Sequence, residues 1–180
     1  ILINKIINLH YFSMKNSTKK HISEIIEKDS CPFTEYEIFG FFTGILVSAY
    51  PKKVAHEKII KFLDLNEKSL PLADKLLEDM RLNLHASSYE IYNGDDNDFD
   101  KKALSISEWA YYFLISYNRN FIQNDNTEML EILDIFDEIS QIKQKYRFDE
   151  RENVTKESLN DIDSFLVKST LYLFNKSNDK

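Results

Sequence analysis

The sequence predicts an all-α fold, a single-domain bundle of six or seven helices, and three observations predict it. The 180 residues contain only 3 glycines and 3 prolines, too few for the turns of a many-stranded sheet. Apolar residues recur at the i, i+3, i+4, i+7 spacing of one helical face in segment after segment. Two Ser/Thr-x-x-Glu spacings, Thr34 to Glu37 and Ser105 to Glu108, read as capping boxes that open helices. With 43% hydrophobic and 29% charged residues, the chain can bury one core and fold unaided.

Taken in order, residues 18–29 place Ile22, Ile25 and Ile26 in a narrow stripe on an otherwise charged helix. Ser30, Cys31 and Pro32 break it. A second helix opens at Thr34 and carries Ile38, Phe41, Phe42, Ile45, Leu46 and Ala49 on one face, with Phe39 and Val47 widening it, so it is expected at the centre. Pro51 stops it, because a residue before proline avoids the helical conformation. A third helix is expected over 53–63. A fourth spans 72–84, with Pro71 suited to its first turn and Ala73, Leu76, Leu77, Met80 and Leu84 inward.

Asn93, Gly94, Asp95, Asp96, Asn97 and Asp98 form the clearest loop, since these residues favour turns and no apolar side chain interrupts them. The capping box at Ser105 then opens a fifth helix, with Ile106, Trp109, Ala110, Phe113, Leu114 and Tyr117 repeating the second helix's template. Residues 127–145 form a sixth, turning Met129, Ile132, Leu133, Phe136 and Ile139 inward. A last helix over 155–175 offers Leu159, Ile162, Leu166 and Leu173, and a polar tail ends the chain.

The charge of -7 and pI near 5.2 oppose attraction to nucleic acid or anionic membranes. The most apolar run, residues 38–49, would span only about 18 Å as a helix against a bilayer core of about 30 Å. One cysteine excludes an intramolecular disulfide framework or a multi-cysteine metal site and fits a reducing, cytoplasmic setting. The first 13 residues, built almost wholly from Ile, Asn, Leu, Lys, Tyr and Phe, read as a non-native or disordered extension ahead of a natural start at Met14, leaving 14–180 as the helical domain. They lack the uninterrupted apolar core and cleavage site of a secretory signal.

A glycine pair in register runs through Phe33-Thr34-Glu35-Tyr36-Glu37-Ile38-Phe39-Gly40-Phe41-Phe42-Thr43-Gly44. An acidic loop, Gly94-Asp95-Asp96, precedes a helix with Trp109 and Phe113-Leu114, and an acidic-apolar helix covers 128–140. Together these segments resemble the YgfB/YecA-like family of small bacterial all-helical proteins, over residues 31–174. Phe39 stands where that family usually has histidine, Val47-Ser48 where it has Cys-Gly, and Ser116 where it has glycine. No cysteine follows Cys31, so the likeness is to the short YgfB-like branch without a C-terminal zinc motif. The resemblance implies a cytosolic fold without an established enzymatic role.

Candidate chemistry is sparse. Glycine inside a helix costs about 1 kcal/mol relative to alanine, so Gly40 and Gly44 imply close packing against the Trp109–Phe113 helix, with a homodimer seam as the alternative. Asp96, Asp98 and Asp100 alternate like calcium ligands, but Lys101 holds the required glycine position and Ser107 the required glutamate position. His10, His21, His56 and His85 show no metal-ligand spacing, and no glycine-rich phosphate loop occurs. Cys31 before Pro32 reads as structural. No cofactor or metal is expected. The expected role is a non-enzymatic interaction or regulatory module, with Asp95, Asp96, Asp98, Tyr111 and Tyr112 as partner-binding candidates. The competing role is a hydrolase or metal-dependent enzyme built from scattered carboxylates.

Overall fold

A computed structural model describes residues 17–28, 31–91, 98–119, 126–145 and 153–178. The described residues are all-α, with no strand. A first helix, α1, covers 17–28; α2 follows at Glu35–Val47, α3 at Lys52–Leu63, a 3-10 turn at Glu67–Ser69 and α4 at Leu70–His85. Next come α5 at Phe99–Ser116, α6 at Thr127–Ser140, the single turn α7 at Ile142–Lys145 and the long α8 at Asn153–Asn178. By packing, the chain forms two compact units: Ile1–Glu35 with Tyr50–Tyr89, and Tyr36–Ala49 with Glu90–Lys180.

In the first unit α1 buries Ile22 and Ile25, and its end is closed by the Cys31 N–H on the Ile26 carbonyl at 3.2 Å. Pro51 precedes α3, where its missing N–H costs nothing. Asp64 ends that helix in the left-handed region at φ 50°, a conformation a short polar side chain tolerates. The Asn66 side chain accepts from the Lys68 N–H to start the 3-10 turn. Pro71 lies in the first turn of α4, whose buried set is the expected stripe of Ala73, Leu76, Leu77, Met80 and Leu84.

One charged cluster ties α3 to α4. Asp74 Oδ1 lies 2.6 Å from His56 Nε2, and its Oδ2 lies 2.9 Å from Lys52 Nζ. Burial would raise the Asp74 carboxyl, but hydrogen bonds and charge from Lys52 and His56 outweigh it and hold the group below its ordinary 3.8. A carboxyl depressed by folding stabilises the protein above its unfolded pKa, and the contribution disappears as pH falls through the folded value. A stability difference between wild type and Asp74→Asn is therefore expected above pH 3.8. It should shrink below pH 3.8, measurable by urea unfolding across that range. A difference that grows as pH falls below 3.8 would contradict this.

In the second unit α2 is buried on every side, without a break from Gly40 to Val47. Thr34 takes its expected place immediately before the helix. Ala49, expected inward on this face, is instead exposed at φ 47°, because the helix stops at Val47 and the chain turns ahead of Pro51. The start expected for α5 is also corrected. The helix begins at Phe99, where Asp98 Oδ1 accepts from the Lys101 N–H at 3.0 Å. An aspartate read as loop is thus the cap, and Ser105 and Ser107 are buried inside the helix. Ser107 donates to the Ser140 carbonyl at 2.5 Å instead of opening a turn.

α6 opens on Asn126, whose side chain accepts from the Met129 N–H at 3.3 Å, and buries Met129, Leu133, Phe136 and Ile139. The single helix expected over 127–145 breaks at Gln141 into α6 and α7. α8 buries Leu159, Leu166 and Leu173, one stripe at seven-residue spacing, while Ile162 is half-buried. Lys102 Nζ on α5 donates to Asn160 Oδ1 on α8 at 2.6 Å. The core is aromatic: Trp109 stacks on Phe113 with centroids 5.2 Å apart and meets the edge of Phe136 at 5.8 Å.

Candidate functional site

α2 and α5 meet where glycine leaves the backbone bare. A Cβ at Gly40 would sit 2.2 Å from the Trp109 carbonyl oxygen. One at Gly44 would sit 2.0 Å from Ser116 Oγ and 2.5 Å from the Phe113 carbonyl oxygen. The seam is closed further by Ser48, which donates to the Gly44 carbonyl at 2.6 Å and accepts from the Asn118 N–H at 2.8 Å. Trp109 and Phe113 lie fully buried behind it.

The opposite face of α5 is different in kind. Leu104, Tyr111 and Ile115 follow the i, i+7, i+11 spacing of one stripe, and all three are exposed, Tyr111 by 51%. Tyr111 and Tyr112 meet edge to face at 5.2 Å. Burial, then the charge and hydrogen bond of Glu37, then Tyr111 and Glu108 push the Tyr112 hydroxyl up to about 12. It therefore stays neutral at physiological pH and presents a polar tip on an apolar body.

α6 runs antiparallel beside α5, since Ser107 meets Ser140 and Phe113 meets Phe136 at 5.1 Å. It too turns apolar side chains outward, Leu130 by 43% and Ile135 by 39%. Apart from Leu82 on α4, every large exposed hydrophobic residue among the described residues lies on this helix pair.

The other candidates fall apart from this face. Asp98 serves as the α5 cap, Asp100 pairs with Lys143, and Asp95 and Asp96 lie outside the described residues. No three His, Cys, Asp or Glu side chains cluster as a metal site among the described residues. Cys31 is buried at the end of α1.

Two histidine clusters escaped the sequence reading because their partners stand 18 and 58 positions away, beyond any local spacing signal. One is His56 with Asp74 and Lys52. The other sets His21 Nδ1 3.0 Å from Asp79 Oδ2, which also accepts from Ser17 Oγ at 2.6 Å. That serine hydroxyl is turned to the carboxylate, not to the imidazole, so the histidine is not wired to take its proton as a nucleophilic triad requires. His21 Nδ1 also lacks the angle for a hydrogen bond despite the short separation. An open cavity of about 500 Å³ is lined by Glu24, Glu27, Lys28, Lys68, Pro71, Leu72 and Lys75, a mixture of both charges.

Leu104, Ile115, Leu130 and Ile135 were missed as well. Their signal was present in the sequence: Leu104 and Ile115 are large apolar residues on the side of α5 opposite its core stripe, and Leu130 and Ile135 lie on the two flanks of the α6 stripe. No helix among the described residues is long and apolar enough to cross a membrane. Compared with family models and with curated proteins, the chain matches none.

Proposed function

We propose that this chain is a non-enzymatic protein-interaction or regulatory module that docks a partner protein on the outward face of α5. The observation that carries the reading is the single outward stripe of exposed Leu104, Tyr111 and Ile115 on α5. Scattered single apolar residues are ordinary on a surface, whereas a contiguous set marks a contact face. Tyr111 and Tyr112 supply the rigid aromatic bodies that dominate interface energies.

The negative charge disfavours nucleic acid and anionic membrane as the partner, and the single buried Cys31 supports a reducing cytoplasmic setting. The resemblance to the YgfB-like proteins supports the non-enzymatic part of the reading, because it implies a fold without an established enzymatic role.

The test is affinity capture from lysate with the wild-type chain beside Tyr111→Lys and Ile115→Lys, both at exposed positions. A discrete protein partner is expected with wild type and should be lost with either variant. Mass measurement of the chain alone accompanies it, and a doubled mass abolished by the same variants would identify the partner as a second copy. Capture unaffected by both substitutions, with an unchanged monomer mass, would refute the reading.

A further inference from the structure

We infer that the partner seated on the α5 face is a second copy of this chain, its own α5 laid antiparallel along the first about a two-fold axis, an inference that rests on the interaction reading above. Leu104, Glu108, Tyr111 and Ile115 follow one another at spacings of four, three and four residues, and at about 100° per residue they share an arc of about 60°. That arc lies opposite the buried Ile106 and Phe113; Leu104, Tyr111 and Ile115 are exposed and Glu108 is half-buried. Alternating steps of three and four keep a stripe turned towards a second helix along its whole length, as in a coiled coil.

What chooses the occupant is that the stripe complements itself when reversed. In chain order it runs apolar, hydrogen-bond acceptor, hydrogen-bond donor, apolar; backwards it runs apolar, donor, acceptor, apolar. With Leu104 opposite the second copy's Ile115, Glu108 falls opposite the second copy's Tyr111, and the two-fold axis repeats both contacts. Each end then sets one aliphatic side chain on another, and each central carboxylate receives a phenol hydroxyl. A parallel pairing would set Glu108 on Glu108, like charges at the centre of the contact. The core makes no such demand on these positions, because none of the four belongs to it.

The centre is already prepared in the single chain. Tyr111 meets the edge of Tyr112 at 5.2 Å, and the Tyr112 hydroxyl is hydrogen-bonded to Glu37 of α2, in the same unit, so the exposed ring is braced before any partner arrives. The ring is what fills the centre, so lysine at position 111 is no substitute for it even opposite a carboxylate. From Leu104 to Ile115 the rise is about 16.5 Å, three helical turns. A contact of that length, with four side chains from each copy, is at the small end of interfaces, so the pair is expected to form reversibly at micromolar protein and above.

The experiment is sedimentation equilibrium of the full chain from about 1 to 500 μM, with the folding of each protein checked by circular dichroism. Wild type is expected to approach twice the monomer mass. Leu104→Glu and Ile115→Lys, each at an exposed site and each counted twice by the symmetry, should weaken association about tenfold or more. An equimolar mixture of these two variants should associate about fivefold or more tightly than either alone. In the mixed pair the introduced carboxylate faces the introduced ammonium, while the native Leu104–Ile115 contact survives on the other side of the axis. Should a charged variant fail to fold, Leu104→Cys mixed with Ile115→Cys and oxidised with diamide reads the same register, since the native Cys31 is buried. A cross-linked dimer is expected from that mixture and far less from either variant alone.

A wild-type chain that stays monomeric across the range, single variants that associate as wild type does, or mixtures that gain nothing over their components would overturn the inference. Capture from lysate separates the two levels. A chain that is monomeric alone, yet loses a different protein partner with Ile115→Lys, leaves the interaction reading standing and this inference failed. No partner of either kind ends both.

Discussion

Replacing Gly40 with alanine is expected to destabilise the fold by about 1–3 kcal/mol, although the same change in an ordinary helix would favour it by about 1 kcal/mol. The sign is reversed by what the new methyl meets. At Gly40 it would fall 2.2 Å from the Trp109 carbonyl oxygen and 2.9 Å from the carbonyl carbon and Cα, all backbone atoms of a packed helix. Such atoms cannot rotate away, so α2 and α5 must move apart, and that loosens Trp109 and Phe113 behind them.

Gly44 provides the internal contrast. Its nearest neighbour is a side-chain oxygen, Ser116 Oγ, with the Phe113 carbonyl behind it at 2.5 Å. Ser116→Ala should therefore recover part of the stability lost in Gly44→Ala and none of that lost in Gly40→Ala. Urea midpoints at constant m-value, for wild type, the three single variants and the two double variants, measure this. A Gly40→Ala protein more stable than wild type would show that the seam has slack.

Trp109→Ala carries the second large effect, a loss of about 3–5 kcal/mol, which is a large share of the roughly 5–15 kcal/mol that holds a typical domain folded. The indole is fully buried, stacked on Phe113 and touched at its edge by Phe136, so its removal leaves a cavity that neighbours on two helices cannot fill. Trp109→Phe keeps a stacked ring and should lose much less. Because Trp109 is the chain's 1 tryptophan, its fluorescence reports this core alone. The emission of the native protein should be blue-shifted and should move to the red in step with the loss of helical circular dichroism. Emission already red-shifted before unfolding would mean that water reaches the ring.

Much of this architecture could be read from periodicity, and the failures have specific causes. α4 is the clearest success, since an amphipathic stripe and a first-turn proline are both local signals. The start of α5 was misplaced because Ser105 and Glu108 have capping-box spacing, while Asp98, in an acidic loop, had the better claim on the first free N–H groups. Composition cannot rank two possible caps; the buried surface around Phe99 and Ala103 does. The site was harder still. Gly40 and Gly44 announced a close approach, but the exposed side of α5 and α6 becomes visible only once it is known which apolar residues the core leaves out. Tyr111 was found by its aromatic company; Ile115 and Leu130 were not.

The order of the chain through its two units sets a timetable for the newly made protein. Every residue of the first unit precedes Glu90, whereas α2 belongs to the second and is made long before its partners. Ser48 and the Asn118 N–H that it receives are 70 positions apart. At roughly 5–20 residues per second, the most apolar helix of the protein waits about 4–14 s on the ribosome before α5 exists to receive it. During that interval α2 is a natural client for whatever apolar-binding chaperone attends the exit site, and slowing translation between residues 50 and 118 should lengthen that attachment without altering the finished fold.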